Sequence, residues 1–327
     1  MHAIKHILVI FLFACIFGIP KFGYGQLYKS MSIEYQVTQR GGIVYLSNSF
    51  IGCGSNPLTS GGTCQTAVNQ MPPSSIGAYN NNNFPSGVPI DIDGDPTTVM
   101  SSSDSLSLPA CSEISFAGLY WMSYSSILNP LNDSVAKFKF DNGVYQIIKA
   151  DTVSIVNFGP PNTVLYSCFK NLTTEFQTAG INTRFTFADA KYIPNPGLTN
   201  DAGGWTVIIV YKNNFEKTRH LTVFDGWASI TAALPILDVP VTGFQTQSTG
   251  NFDVEFGMVT FDGDRGAIGD GAEIKGQGSA TFTPLFDAIH DANNVFNSTI
   301  SNNGVLTPFR IPSLNNTLGH DASIFRP

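Results

Sequence analysis

The chain is poor in charge. Only 13% of its 327 residues are Asp, Glu, Lys or Arg. Cytosolic helical proteins lean on Lys, Glu, Ala and Leu, so this shortage argues against that class. Cysteine and histidine are scarce, at five each. No Cys-x-x-Cys pair occurs, and no His lies near a cysteine in the mature sequence, which argues against a zinc site. No Gly-x-Ser-x-Gly segment is present, so the nucleophile elbow of the α/β-hydrolases is absent. No repeat of fixed period emerges.

Gly, Asn, Ser and Thr are abundant instead, with 25 Phe and 11 Tyr. Aromatic and β-branched residues favour strands. Composition therefore predicts an exported β protein with a neutral polar surface, long enough to bury a substantial core. Met1 to His6 is a short polar start, and Ile7 to Ile19 is almost wholly apolar. That run is roughly 13 residues, too short for a membrane span. With Gly23-Tyr24-Gly25 before Gln26 it reads as a secretory signal over residues 1–25. Leu12 to Cys15 loosely matches a lipobox, but bulky Phe13 and the apolar residues after Cys15 argue against a lipid anchor. No later segment is long and apolar enough to span a bilayer.

Cleavage would remove Lys5 and Lys21 and leave 15 basic against 24 acidic residues, a net charge of −9. An acidic chain disfavours nucleic acid and anionic membranes as partners and is compatible with cations. Four cysteines would remain, Cys53, Cys64, Cys111 and Cys168. An even count in an exported chain predicts two disulfides. A local Cys53–Cys64 bridge would leave Cys111 to pair with Cys168, and two other pairings satisfy the count.

The core is expected around Gly203 to Gly226. Val207 to Val210 is apolar at every position, the mark of a strand buried on both faces. Polar Lys212 to Arg219 and a second apolar run, Leu221 to Phe224, predict a hairpin. Leu106 to Tyr124 reads as a strand pair centred on Phe116 to Trp121. Val135 to Phe140 alternates, with Val135, Lys137 and Lys139 on one side and Ala136, Phe138 and Phe140 on the other. Asp141-Asn142-Gly143 then turns the chain back. Ile230 to Leu237 and Phe252 to Phe261 read as further strands, and Asn171 to Ala179 fits a helix or a loop. Ser323 to Phe325 starts a strand just before the last residue, which reads as a truncation or the start of a longer chain. The expected fold is an all-β sandwich or jelly-roll with long loops. Residues 26–87 hold N-terminal strands and the Cys53/Cys64 loop, and residues 88–327 hold the main domain; the alternative is one continuous domain over both.

Two acidic loops could hold calcium. Asp91, Asp93 and Asp95 alternate at i, i+2 and i+4, which in a loop lets short carboxylates converge on a hard cation. Asp262, Asp264 and Asp270 lie among glycines that allow tight turns. The same residues also suit ordinary Asp-Gly turns and solvated strand faces. No organic cofactor is indicated.

Several blocks in order resemble an N-terminal domain of large Bacteroidetes surface proteins, which often end in type IX secretion or gliding-motility sorting domains. The blocks are Asp93 to Thr98 with Ser101 to Ser103, Ala117 to Trp121, Gly203 to Trp205 through Val223 to Gly226, Phe261 to Asp264 with Gly269-Asp270, and Asn294 to Ser301 with Asn316 to Asp321. They span roughly residues 88 to 325. The resemblance implies a secreted or surface-attached adhesin-like module and carries no catalytic set. It also implies O-glycosylation acceptors at Ser105, Ser134 and Thr152, each after an Asp and before an apolar residue.

The favoured class is thus a non-catalytic binding module for a surface glycan or protein ligand, with Tyr79, Phe84 and Trp227 as candidate sugar platforms. A glycan hydrolase would need two placed carboxylates, and nothing marks a pair among Asp225, Glu255 and Asp287. The mature histidines, His220, His290 and His320, read as structural. A purely structural surface subunit is the third class, and a binding pocket is what separates it from the first.

Overall fold

A computed structural model of the chain describes residues 26–54, 63–73, 79–80, 87–125, 134–157, 164–193, 201–232, 235–242, 253–276 and 278–327. The expected signal, Cys15 and Phe84 lie outside the described residues. In chain order the strands are β1 Gln26–Ser49, β2 Ile51–Cys53, β3 Gly87–Pro89, β4 Ser101–Ser107, β5 Glu113–Ser125, β6 Val135–Phe140, β7 Gln146–Lys149, β8 Thr152–Asn157 and β9 Val164–Asn171. Then come β10 Asn182–Ala188, β11 Gly203–Lys212, β12 Thr218–Ser229, β13 Phe256–Phe261, β14 Glu273–Ile274, β15 Thr283–Pro284, β16 Ile300–Asn302, β17 Val305–Leu306 and β18 His320–Phe325. Two short helices, α1 Cys64–Val68 and α2 Thr173–Ala179, complete the set.

The fold is all-β and sandwich-like. A six-stranded sheet runs β12-β1-β11-β5-β9-β8, and a four-stranded sheet runs β4-β10-β6-β7. Leu46, Leu119, Trp121, Trp205, Val207 and Ile209 of the first meet Leu106, Ala136, Phe138, Phe185 and Phe187 of the second in one core. The alternation along β6 sends Phe138 inward and Lys139 outward, as period-2 geometry requires. β11 is covered on both faces. Val207 and Ile209 enter that core, while Val210 packs with Phe116, Phe169, Leu221 and Val223 on the other side.

Contacts divide the chain into two units. The smaller comprises Met1–Ser32 and Phe224–Gly243; in it Lys29 pairs with Asp225, and Trp227 is buried. The larger comprises Ile33–Val223 and Phe244–Pro327. It includes a third sheet, β13-β18-β16-β17, in which β16 and β18 run parallel.

Four expectations need correction. β11 and β12 are not a hairpin, because β1 lies between them, with Val44 opposite Ile209. β4 and β5 are consecutive but belong to opposite sheets. The stretch Ile230 to Leu237 forms no strand among its described residues, and Ile230 and Ile236 are exposed. Finally, Cys111 and Cys168 are not bridged. Cys168 is buried opposite Trp121 on β5, whereas Cys111 is exposed just before Glu113 at the far end of that strand. Eight strand residues at about 3.3 Å each separate the two levels by roughly 26 Å, far beyond the ~7 Å limit for a bridge. The local bridge is made, with Cys53 and Cys64 Cα atoms 5.4 Å apart. It packs with Ala67, Val68, Tyr79, Leu314 and Leu318.

Candidate functional site

Alternation along β4, β6 and β10 leaves one polar face turned away from the core. Ser105 on β4, Arg184 and Thr186 on β10, and Lys139 on β6 line a groove of about 520 Å³, with Asp93 and Asp141 at its margins. Ile311 closes one side, because its backbone exchanges hydrogen bonds with Ser103 and extends the edge of β4. The charged groups balance in sign, and among the described residues the exposed Arg184 side chain makes only a long 3.5 Å contact, to Ser105 Oγ. Neutral hydroxyls, amides and two cations thus face one open concavity.

The first acidic loop sits beside this groove. Lys139 Nζ and Tyr145 OH both donate to Asp93 Oδ2 at 2.6 Å. Burial alone would raise the pKa of Asp93, but these donors and the Lys139 charge outweigh it and hold the pKa low, at about 2. Ser101 Oγ bridges Asp91 Oδ1 and Asp93 Oδ1, and Asp95 caps Thr97. The chain's own donors engage all three carboxylates.

The second acidic loop lies against β18. Asp262 is exposed at a positive φ of 64°, while Asp264 and Asp270 are half-buried. Asp270 Oδ2 accepts from Phe296 N at 3.1 Å. Next to them stands Asp321, which the metal reading of the sequence did not include. It is 3% exposed, and Thr299 N donates to its Oδ1 at 2.8 Å. Burial first, then the Asp270 and Asp264 charges, push Asp321 up to about 8, against the opposing pull of Arg265. Its one sequence signal was its place at the end of the Asn316 to Asp321 block.

Two histidines meet serines in the interior. His320 Nε2 lies 2.8 Å from Ser47 Oγ, and the buried ring is held neutral, its pKa depressed to about 3. A Cβ on Gly204 would overlap that ring, so only glycine fits there. His290 Nε2 lies 3.1 Å from Ser323 Oγ, and its Nδ1 lies 2.8 Å from Asp287 Oδ1. Those distances match a Ser-His-Asp relay. Access does not, because Ser323 and His290 are 4% and 1% exposed. Ser323 also sits on a central strand between β13 and β16, not at a strained turn.

The remaining candidates are dispersed. Asp225 pairs with Lys29, Glu255 with Arg326 and Asp287 with His290. His220 Nδ1 lies 2.8 Å from Thr38 Oγ1. Tyr79 is half-buried against the disulfide cluster, and Trp227 is buried. Of the glycan acceptor candidates, Thr152 is exposed, Ser105 lines the groove and Ser134 is buried. No helix among the described residues is long and apolar enough to cross a membrane. The chain matches no family model, no curated protein and no solved structure.

Proposed function

We propose that the chain is an exported, non-catalytic binding module of the cell surface or extracellular space. Its site is the groove on the outer face of the β4-β10-β6-β7 sheet, and its ligand is a saccharide. One observation carries this reading. The groove gathers Lys139, Arg184, Ser105, Thr186, Asn182 and Asp141 in one open concavity. Spaced donors and acceptors of both kinds suit a polyhydroxylated ligand, whose hydroxyls both give and accept hydrogen bonds. Export is supported by the leader-like N-terminus, the block resemblance to Bacteroidetes surface proteins and a disulfide, a bond that persists in oxidising compartments. A glycan array probed with the purified chain tests the ligand class. Retention of a discrete set of saccharides is expected, and a blank array at high protein concentration would count against a sugar site.

The Ser323–His290–Asp287 contact favours a hydrolase as the second reading. Burial of the serine argues against it, since a substrate carbonyl must reach Oγ. Nitrophenyl ester and glycoside turnover is expected at the rate of buffer alone. Ser323→Ala is expected to leave that rate unchanged while lowering the unfolding midpoint. Turnover that Ser323→Ala abolishes would sink the non-catalytic account.

A further inference from the structure

Which saccharide the groove takes, granted that it takes one, follows from how its charges are spent. Three rungs cross the groove between β4 and β10. Asn182 stands opposite Ser107, Arg184 opposite Ser105 and Thr186 opposite Ser103. Residues two apart share a face, so successive rungs lie roughly 7 Å apart. Arg184 is the central rung. Its neighbours on the same face of β10 are neutral, and Ser107 Oγ donates to Asn182 Oδ1, which leaves the Asn182 amide nitrogen as a donor.

The four charges of the groove are not equally available. Lys139 pairs with Asp93, which also takes the Tyr145 hydroxyl. Asp141 turns back on its own neighbours. Arg184 N donates to its Oδ1 and Thr183 Oγ1 to its Oδ2, both at 2.9 Å. The Arg184 side chain takes the other direction, towards Ser105 on β4, and among the described residues it pairs with no carboxylate. Three charges are thus answered within the fold, and the fourth, a guanidinium, is open to a ligand. A guanidinium is a planar fork of N–H donors that a carboxylate accepts two at a time. Such charge-assisted pairs are roughly twice as strong as neutral hydrogen bonds.

We propose that the groove selects saccharides that carry a carboxylate, the uronate class, with the acid group seated on Arg184. The Ser105 hydroxyl lies beside that fork, and the Asn182 and Thr186 rungs meet hydroxyls of the sugar chain on either side. The chain's net charge of −7 opposes anionic ligands at long range, so selection rests on this short-range pairing.

The test is an array of galacturonate, glucuronate and mannuronate oligosaccharides, each beside its methyl ester, with neutral and sulfated oligosaccharides as comparison. The ester keeps the sugar and removes the charge. Retention of acid forms over their esters is expected, by at least about tenfold in affinity when the retained pair is titrated by calorimetry. Arg184→Gln is expected to bind acid and ester alike, and Arg184→Lys, which keeps the charge and loses the fork, to recover only part of the preference. Asp141→Asn removes the negative charge at the margin and is expected to strengthen binding of the acid form. Retention of neutral or sulfated saccharides alone would overturn the proposal and leave the groove as a site for another sugar. So would a preference for the acid that survives in Arg184→Gln. A blank array would remove the saccharide reading itself, and this proposal with it.

Discussion

Replacing His320 with glutamine is expected to flatten the acid side of the stability profile. In the folded chain the His320 ring is enclosed by Ser47, Thr206 and the backbone of Gly204, with the Phe261 ring tilted against it, centroids 4.7 Å apart. Burial depresses its pKa to about 3, and the Arg310 charge adds to the effect against a hydrogen bond to the Trp205 backbone. The unfolded chain takes up that proton near pH 6.5 and the folded chain only near pH 3, so the unfolded state binds more protons between those values. The stabilising contribution is therefore intact above about pH 6.5 and is lost as pH falls towards 3. The loss is on the order of 4 kcal/mol by pH 3, a large part of a typical total of roughly 5–15 kcal/mol.

Two carboxyls act in the opposite sense. Burial raises Asp104 to about 6 against its Ser47 and Ser105 backbone bonds and the Arg310 charge, and Asp321 is raised to about 8. The folded chain holds these protons longer than the unfolded chain, so their contribution is greatest in acid and is lost as pH rises through those values. The His320 effect is therefore read as the difference between wild type and His320→Gln, measured by urea unfolding from pH 7 to pH 3.5. A difference that narrows steadily as pH falls is expected. Parallel profiles would show that the ring is charged or exposed in the folded chain.

Phe185→Ala is expected to cost about 3–5 kcal/mol, the range for emptying a buried aromatic site. Phe185 is the ring at which the two sheets and α2 meet. Its centroid lies 5.2 Å from Trp205 on β11, 5.7 Å from Phe138 on β6 and 5.3 Å from Phe176 on α2. Offset and edge-on aromatic pairs add to the burial itself. The surrounding rings belong to three elements and cannot all collapse inward to refill the space, which places the cost towards the upper end. Guanidinium unfolding at neutral pH measures it. A loss under about 1 kcal/mol would mean that the sheets do not meet at this ring.

How much of this was legible depended on how far each signal reached along the chain. The both-face burial of β11 was written in Val207 to Val210, since a continuous apolar run needs no distant information. The Val135 to Phe140 alternation was equally local and placed Lys139 correctly on the outer face. Strand pairing was not local. The partner that separates β11 from β12 is β1, whose Gly41 to Ser49 stretch precedes β11 by some 160 residues. Proximity in sequence made a hairpin the natural expectation, and a strand from far upstream displaced it. The second disulfide failed for the same reason, because counting cysteines carries no information about their level along a strand.

The candidate site was the least legible part. Arg184, Thr186, Ser105 and Lys139 come from three strands and share a face only once β10 sits between β4 and β6. The buried polar groups were also hidden. Ser47, Asp321 and Ser323 are residue types usually found at the surface and His320 is of an intermediate type, and only their tertiary partners reveal that they are interior. The acidic loops were visible as loops. Their different fates were not: Lys139 and Tyr145 answer Asp93, while Asp321 Oδ2 is left unanswered.

The central claim is that the groove over β4, β10 and β6 is where this chain binds its ligand. Calorimetric titration of an array-selected saccharide into wild type and Arg184→Ala tests it most directly. Arg184 is exposed and makes no buried contact, so the substitution is expected to leave the unfolding midpoint within about 2 °C. The account predicts at least a tenfold loss of affinity, about 1.4 kcal/mol. Equal affinity in the two proteins would contradict it and move the binding site elsewhere on the molecule.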